Sequence, residues 1–433
     1  MKYKSCKDLE KSIYLAPNEI RSCCQRFFFK GKMRGDAKLL DVGKNNSLKP
    51  LDIQERRKIL FEDIQKDKVE SCLGCPHLYD RSDKPNFTSD IDHLSIEHHS
   101  FCNLRCNYCS EIYYGGKKSN YDVIEFIKNL SENKSFKNCK QVVWGGGEPT
   151  LDKSFEIIVK EIDKYANPKI YHRVFTNSVR YHNAVYEFLK RGLIKIVTSI
   201  DAGTEETFKK VRGRNKFFNV FENLSKYAKA NSNSITVKYI FTEDNYSENE
   251  LIKFVENCVQ YNLNNCCFQI SMNFKHNKID INILKSIGFL MGEFKKNNIS
   301  KFFCDDHIAA RFKRLEMADI MEIKEYLNKR KINNILINNE NLKSINIYGA
   351  GDIAKNIITK IFSEENKNQV ELFDSDPKKF GKTLCGLKIK SPEDILTNNH
   401  KIYISAAQGY DEIYRKLIKL NVDRKRFISG LFI

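Results

Sequence analysis

Short apolar runs recur through the middle of the chain, and each is followed by a polar or glycine-rich turn. Runs of four to eight apolar residues bounded by turns are typical of buried strands. Such strands are typical of parallel sheets with both faces covered. The predicted strands are the apolar segment before residue 101, residues 141–144, the segment ending at 175–177, residues 195–200 and residues 236–241.

The flanking segments carry different patterns. Residues 12–21 predict a hairpin with Pro17 and Asn18 at its turn, and Leu51 to Val69 has helical periodicity. Residues 304–341 are charged and helical in pattern, which predicts a connector. Three further strands are predicted at residues 343–348, 371–374 and 402–405. The sequence therefore predicts an α/β protein with a different module at each end of a central sheet.

Length and composition bound this picture. A chain of 433 residues predicts two or three domains, and 41% hydrophobic residues suffice for buried cores. The mean hydropathy is −0.51, and no apolar run approaches the length of a membrane span. The start of the chain lacks the apolar region of a signal peptide. We therefore expect a cytoplasmic protein without membrane contact, in which the 14 cysteines stay reduced.

The net charge of +18 raises the question of a nucleic-acid partner. Residues 1–90 and residues 343–433 each carry a net charge of +5, which is close to a proportional share of the total. An even distribution argues against a nucleic-acid-binding stripe. A diffuse positive field still favours an anionic substrate.

One loop concentrates chemistry. Cys102, Cys106 and Cys109 follow an apolar strand with CxxxCxxC spacing. Because a [4Fe-4S] cluster usually has four cysteine ligands, three thiolates leave one iron free to bind a cofactor or substrate. A zinc site that adds His98 or His99 to the three cysteines is the alternative.

Three segments together resemble the radical S-adenosylmethionine (radical SAM) enzymes. They are 101–109, with Tyr108 before the third cysteine; Gly145 to Thr150, which is similar to the GGEP motif of that family; and 195–204, with its Ser-Ile-Asp turn. The resemblance covers roughly residues 91–300. It implies a partial (β/α)6 barrel, to which we assign residues 91–303, with the active site at the carboxyl ends of its strands.

The resemblance also implies the roles of individual residues. Cys102, Cys106 and Cys109 would ligate a [4Fe-4S] cluster whose fourth iron binds S-adenosylmethionine (SAM). Glu148 would receive the amino group of SAM. The other residues implied to contact SAM are Tyr108 near the adenine, Gly145, Gly146 and Gly147 at the methionine end, Ser199 or Asp201 at the ribose, and Arg212 at the carboxylate. One electron from the cluster would then cleave SAM to methionine and a 5'-deoxyadenosyl radical that abstracts hydrogen from a substrate.

The first 90 residues carry a second set of cysteines. Their order, with a hairpin, a helix and a CxxC pair, is similar to the auxiliary-cluster modules called SPASM or twitch domains, which in most relatives follow the barrel. The resemblance implies an auxiliary [4Fe-4S] cluster, and structural zinc is the alternative. The implied ligands are Cys6, Cys23 or Cys24, Cys72 and Cys75. We expect the other six cysteines to be buried or incidental.

Residues 342–433 predict a Rossmann-like domain. Gly349 and Gly351 lie between a predicted strand and helix, and Asp374 ends the next strand, as in dinucleotide-binding folds. The domain resembles small units appended to sugar-modifying acyltransferases and methyltransferases, which implies a nucleotide-sugar ligand. The alternative is a docking or oligomerising module with an unused glycine turn.

These features predict a radical SAM enzyme that receives electrons from a reductant such as flavodoxin or ferredoxin. The leading substrate hypothesis is a sugar or nucleotide-linked small molecule, within glycan biosynthesis or related chemistry. The first alternative is a maturase of a ribosomally made peptide. The second is a non-catalytic iron-sulfur redox sensor, which leaves Glu148 unexplained.

Overall fold

The computed structural model of the chain describes residues 2–43, 47–109, 115–165, 170–273, 275, 280–312, 314–332, 335–337, 344–362, 364–407 and 409–432. These residues form two compact units. The first comprises residues 1–198 and 229–235, and the second comprises residues 199–228 and 236–433. The predicted boundaries at residues 90, 303 and 341 do not coincide with this division and stay predictions.

The first unit contains eleven described strands and five described helices. The strands are β1 (Tyr3–Ser5), β2 (Ser12–Leu15), β3 (Glu19–Arg21), β4 (Arg26–Phe29), β5 (Lys32–Gly35), β6 (Lys38–Asp41), β7 (Tyr79–Arg81), β8 (His93–Ile96), β9 (Gln141–Trp144), β10 (Tyr171–Phe175) and β11 (Ile194–Ser199). The helices are α1 (Lys7–Lys11), α2 (Pro50–Gln65), α3 (Val123–Glu132), α4 (Phe155–Tyr165) and α5 (Asn183–Lys190).

The main sheet of this unit runs in the order β6-β3-β2-β8-β9-β10-β11. Strands β2, β8, β9, β10 and β11 are parallel to one another. At one edge of the sheet, β3 pairs antiparallel with both β2 and β6. Helices α3, α4 and α5 follow β8, β9 and β10, as parallel connections require. Each of these helices buries an apolar face while its remaining residues are more polar. Because β8, β9 and β10 are parallel, the loops that follow them all begin at the carboxyl ends of the strands, on the same side of the sheet.

The N-terminal segment is built into this sheet. Strand β2 pairs in parallel with β8, with Ser12 opposite His93 and Leu15 opposite Ile96. Fully buried Arg57 of α2 donates hydrogen bonds to the carbonyl oxygens of Ser12, Thr88 and Asp90. These contacts join the first 90 residues to the strand that precedes the cysteine loop.

Both N-terminal elements predicted from the sequence are present. Strands β2 and β3 form the hairpin, with Leu15 opposite Ile20, and helix α2 occupies most of the predicted helical segment. Beside them lie two antiparallel pairs, β1 with β7 and β4 with β5. The cysteines of this segment lie in or near these short elements.

The second unit continues the alternation of strands and helices. Its strands are β12 (Ile235–Phe241), β13 (Cys267–Met272), β14 (Phe302–Cys304), β15 (Leu336–Ile337), β16 (Ile345–Tyr348), β17 (Val370–Phe373), β18 (Thr383–Leu384), β19 (Leu387–Lys390), β20 (Lys401–Ile404), β21 (Phe427–Ile428) and β22 (Leu431–Phe432). Its helices are α6 (Glu205–Arg212), α7 (Phe217–Asn231), α8 (Glu248–Gln260), α9 (Ile281–Lys296), α10 (Asp306–Phe312), α11 (Met317–Lys329), α12 (Asp352–Ile361) and α13 (Tyr410–Lys419). Strands β12, β13 and β14 are parallel neighbours.

The C-terminal sheet runs β18-β19-β17-β16-β20-β21, so its first long strand lies at the centre. Helix α12 packs on one face through Ala354 and Ile358, and helix α13 packs on the other through Tyr410 and Leu417. Helices on both faces of a mostly parallel sheet define a doubly wound α/β arrangement. The predicted α/β class is confirmed. Within the described residues, no helix is both long and apolar enough to cross a membrane.

Candidate active site and metal sites

The cysteine loop begins just after β8. The side chains of Cys102, Cys106 and Cys109 are partly exposed, so they are accessible to metal. Buried Leu104 anchors the loop, and its backbone N–H lies 3.5 Å from Sγ of Cys102. The backbone N–H of Cys109 donates to the carbonyl oxygen of Cys106 over 3.1 Å. The structure thus presents the three predicted thiols on one short loop.

The glycine loop after β9 packs directly against the backbone that leads into the cysteines. A side chain at Gly147 would come within 2.0 Å of the carbonyl oxygen of Phe101, and Gly146 has φ +86°. The N–H of Glu148 donates to that same oxygen over 2.6 Å, and the N–H of Gly147 donates to the carbonyl oxygen of His99 over 3.2 Å. Close approach of two backbones is the reason that this position needs glycine.

Glu148 joins the glycine loop to the end of β10. Its side chain is buried, with one carboxylate oxygen accepting hydrogen bonds from both Thr150 N–H and O–H and from Thr176 O–H, at 3.2, 2.6 and 2.8 Å. The other oxygen accepts the backbone N–H of Asn177 over 2.6 Å. Burial raises the pKa of Glu148, and these four bonds oppose the shift. The geometry supports a positioning role, and its contact with SAM stays a prediction.

Asn177 is a site residue that the motifs did not reveal. Its side-chain N–H₂ group lies 2.6 Å from Oδ1 of Asn103 and 3.6 Å from Sγ of Cys102. Hydrogen bonds to cysteine sulfurs tune the reduction potential of iron-sulfur clusters. Its place at the carboxyl end of a predicted strand was the available sequence signal.

His98, His99 and Asp152 form a second polar group beside the glycine loop. Nε2 of His98 lies 2.6 Å from Oδ2 of Asp152, and the two imidazole rings meet edge to face with centroids 5.0 Å apart. Burial lowers the pKa of His99 to about 4, with a further contribution from His98, so its imidazole is neutral at neutral pH. From the sequence, the two histidines were expected to lie at the strand end or to satisfy local polar groups, with zinc binding beside the cysteines as the alternative; Asp152 was not considered.

Four N-terminal cysteines line one narrow cavity of about 20 Å³: Cys6, Cys23, Cys72 and Cys75. His77 lines the same cavity and was not anticipated. Burial is the main reason that the pKa values of Cys6 and Cys72 rise to about 12. Among the described residues Cys24 does not line the cavity, and its side chain is exposed. The structure therefore favours Cys23 over Cys24 as the fourth member.

The predicted SAM contacts of the second unit have internal partners instead. Asp201 is completely buried, and its carboxylate binds Nη1 of Arg212 over 2.8 Å and accepts the N–H of Ile240 over 2.7 Å. Arg212 is only 5% exposed. This buried pair argues against direct contacts of either side chain with SAM and for a structural role. Ser199, at the end of β11, is partly exposed.

The glycine turn of the C-terminal domain also forms hydrogen bonds with residues of the same domain. Oδ2 of Asp374 accepts the N–H of Ala350 over 2.8 Å and pairs with Nζ of Lys379 over 2.8 Å, while Oδ1 accepts a backbone N–H. Gly349 adopts φ +108°, and the space beside Gly351 is open. Asp374, which was expected to bind a ribose, instead binds the Gly349–Gly351 loop that was expected to hold the phosphates.

Two known protein families match parts of this chain, and one match covers the cysteine loop and the glycine loop. Residues 96–256 match the radical SAM superfamily, and residues 341–428 match the family "C2185-like, N-terminal". Residues 96–256 are therefore a radical SAM enzyme domain, and a C2185-like domain follows it. The cysteine loop and the glycine loop both lie inside the matched segment.

The curated relatives include GTP 3',8-cyclases. Those of Haemophilus ducreyi and Vibrio vulnificus are 26% and 28% identical over 42% and 43% of this chain, and the matches cover 53% and 55% of the relatives. A probable GTP 3',8-cyclase of Saccharolobus islandicus is 24% identical over 57% of this chain and 68% of its own. The chain thus spans about half the length of the first two relatives.

Solved structures that are similar to this chain include the following two. The first is Streptococcus suis SuiB bound to precursor peptide SuiA, with 14% identity, a TM-score of 0.42 and coverage of 63% of this chain and 68% of that one. The second is anSMEcpe with bound AdoMet and the Cp18Cys peptide, with 19% identity, a TM-score of 0.39 and coverage of 48% and 62%. At these TM-scores neither likeness bears on function.

Proposed function

We propose that the protein binds a [4Fe-4S] cluster on Cys102, Cys106 and Cys109 and uses it to cleave SAM reductively for hydrogen abstraction from a substrate. The observation that carries this proposal is the packing of the glycine loop onto the backbone that leads into the cysteines. It sets a side-chain-free surface beside three accessible thiols. Three thiolates match a cluster with one iron open for SAM.

The chain's own residues would orient this chemistry. Gly145, Gly146 and Gly147 would line the methionine end of SAM, and Tyr108 would lie near its adenine. Asn177 would donate a hydrogen bond to the Cys102 thiolate. Contact of Ser199 with the ribose stays part of the proposal. Glu148 would orient the glycine loop and receive the amino group of SAM. Asp201 and Arg212, which were also predicted to contact SAM, would act by holding their own loops in place.

The N-terminal cavity supports a second metal site. We propose Cys6, Cys23, Cys72 and Cys75 as its ligands, with an auxiliary [4Fe-4S] cluster of the SPASM or twitch type as the occupant. The alternative, structural zinc, is favoured by one observation. The cavity of about 20 Å³ is close to the size of a single water molecule. This small volume favours a single ion over a cluster. Among the described residues, however, no three of these sulfur atoms all lie within 4.8 Å of one another, so zinc binding requires the thiols to move together.

A nucleotide-linked small molecule is the proposed substrate. The relatives named GTP 3',8-cyclase support it, as does the net charge of +18. A sugar nucleotide remains the leading form because of the C-terminal α/β domain, although Asp374 is engaged within that domain. A peptide substrate is the second candidate, and a redox sensor without catalysis is the third.

SAM cleavage tests the main proposal. Protein reconstituted anaerobically with iron and sulfide, then given dithionite or reduced flavodoxin and SAM, should release 5'-deoxyadenosine, measured by liquid chromatography. The Cys102→Ala, Cys106→Ala, Cys109→Ala variant should release none, and Cys139→Ala, which changes a buried cysteine outside both sites, should match the wild type. No release from cluster-loaded wild type, with nucleotide, sugar-nucleotide and peptide candidates present, would refute the proposal.

Metal counting in the same triple variant tests the N-terminal site. About four irons per chain support an auxiliary cluster, and about one zinc with no iron supports structural zinc. Neither metal in the triple variant would remove the second site from the proposal. Because this readout needs no SAM, it is independent of the activity assay.

A further inference from the structure

His98, His99 and Asp152 meet outside both cysteine sites. One ring nitrogen from each histidine and one oxygen of Asp152 all lie within 4.8 Å of one another. Both histidines are 6% exposed. The group is independent of the cysteines, since none of its members belongs to either proposed ligand set.

Two ring nitrogens of this group lack hydrogen-bond partners. Nδ1 of His98 and Nδ1 of His99 are buried with no partner among the described residues. A buried polar atom without a partner destabilises the fold. An imidazole nitrogen is a common ligand of divalent transition metals, and here two such atoms lie on adjacent residues.

Asp152 is held in a fixed orientation. The backbone N–H of Ser154 donates to Oδ1 of Asp152 over 3.0 Å, and the hydroxyl of Ser154 donates to Oδ2. Hydrogen bonds of this kind from neighbouring groups orient carboxylate ligands in metal sites. The Asp152 side chain is 21% exposed, so the group is open to solvent on one side.

We propose that His98, His99 and Asp152 form a mononuclear site for a divalent transition-metal ion of the zinc type. Zinc bonds to nitrogen and oxygen of about 2.0–2.2 Å place tetrahedral ligand atoms roughly 3.4 Å apart. The ligand atoms lie within 4.8 Å of one another, so side-chain rotations would bring them to this spacing. Three protein ligands leave a fourth position for water or for an oxygen of a substrate.

The location gives this metal a consequence for the neighbouring loop. The carbonyl oxygen of His99 accepts the N–H of Gly147, so an ion bound by His99 would fix the backbone on which the glycine loop rests. Metal at this site would thus stabilise the surface proposed for SAM. The metal proposal itself does not require that SAM or a cluster binds.

Zinc and cobalt binding test the site directly. Protein equilibrated with zinc and desalted should contain about one more zinc per chain in the wild type than in Asp152→Asn, by mass spectrometry of the metal. Co²⁺ bound at this site should show visible d–d bands that Asp152→Asn lacks. Asp152→Glu should recover part of the binding, and His400→Gln, which changes a histidine of the C-terminal domain, should match the wild type.

The comparison with Asp152→Asn also separates this site from the cysteine sites. Thiolate-to-cobalt charge transfer comes only from the cysteines, so it should be equal in the wild type and the variant. Equal zinc content and equal visible bands in both proteins would overturn the proposal. If far-ultraviolet circular dichroism shows that Asp152→Asn does not fold, the same readouts on His99→Gln decide, since no described side-chain hydrogen bond depends on His99.

Discussion

Arg212 offers a sharp test of the role that the structure assigns to the buried pair in the second unit. Replacing Arg212 with alanine leaves the carboxylate of Asp201, which has no exposed surface, without its 2.8 Å partner. Removal of one member of a buried ion pair costs about 3–5 kcal/mol. The N–H of Ile240 still binds this carboxylate, so we expect a value near the lower end, about 3 kcal/mol.

Thermal unfolding followed by circular dichroism measures this loss. About 3 kcal/mol corresponds to a fall in Tm of about 6–12 °C for a unit of roughly 200 residues. Arg214→Ala is the matched control, since Arg214 lies two residues away and is exposed; its Tm should stay near that of the wild type. In the double variant Asp201→Asn, Arg212→Met, part of the lost stability should return because no uncompensated charge remains.

The outcome also distinguishes two roles for Arg212. If Arg212 bound the carboxylate of SAM instead, Arg212→Ala would weaken SAM binding while its Tm stayed close to that of Arg214→Ala. A Tm within about 2 °C of the control would therefore refute the structural reading.

Three further predictions concern the other sites. Cys72→Ala should lose the metal of the N-terminal site while Cys24→Ala keeps it, as measured by metal content per chain; loss in both variants would contradict the choice of Cys23. Asn177→Ala should make the reduction potential of the Cys102 cluster more negative, as followed by redox titration with electron paramagnetic resonance, because a hydrogen bond to sulfur is lost; an unchanged potential would exclude that bond. Asp374→Asn should destabilise the protein near neutral pH. Burial alone would raise the pKa of Asp374, but hydrogen bonds, led by the one from Lys379, lower it below the usual value. The ionised carboxylate therefore stabilises the folded protein above the unfolded pKa of about 3.9, and this stabilisation is lost as the pH falls through the folded pKa. The difference in Tm between Asp374→Asn and the wild type should therefore shrink between pH 7 and pH 3, and a constant difference would contradict this.

The sequence was most informative where local pattern determines structure. The strands after which the cysteine and glycine loops begin, the hairpin at residues 12–21 and the helix near Leu51 follow from short-range periodicity and turn residues. The family match at residues 96–256 agrees with the motifs that predicted it. Spacing within one loop is likewise a local property, so Cys102, Cys106 and Cys109 could be proposed together.

The pairings between distant residues could not be predicted this way. Asp152 lies more than 50 residues from His98, and His77 joins a cavity with Cys6 only after the short N-terminal strands pair. Asp201 and Asp374 have the residue type expected of ribose contacts, but their hydrogen-bond partners depend on three-dimensional packing. A motif specifies which groups are present, and the fold determines whether each group binds a ligand or forms hydrogen bonds within the protein.

The parallel pairing of β2 with β8 has a consequence for dividing the chain. A fragment that starts at residue 91 would leave the backbone N–H and carbonyl groups along one side of β8 unpaired, next to the loop that bears the cysteines. Open strand edges of this kind template association with other chains. Removing the N-terminal segment would therefore turn an interior strand into an exposed sheet edge that can pair with other chains. We expect the excised central domain to aggregate rather than persist as a minimal enzyme.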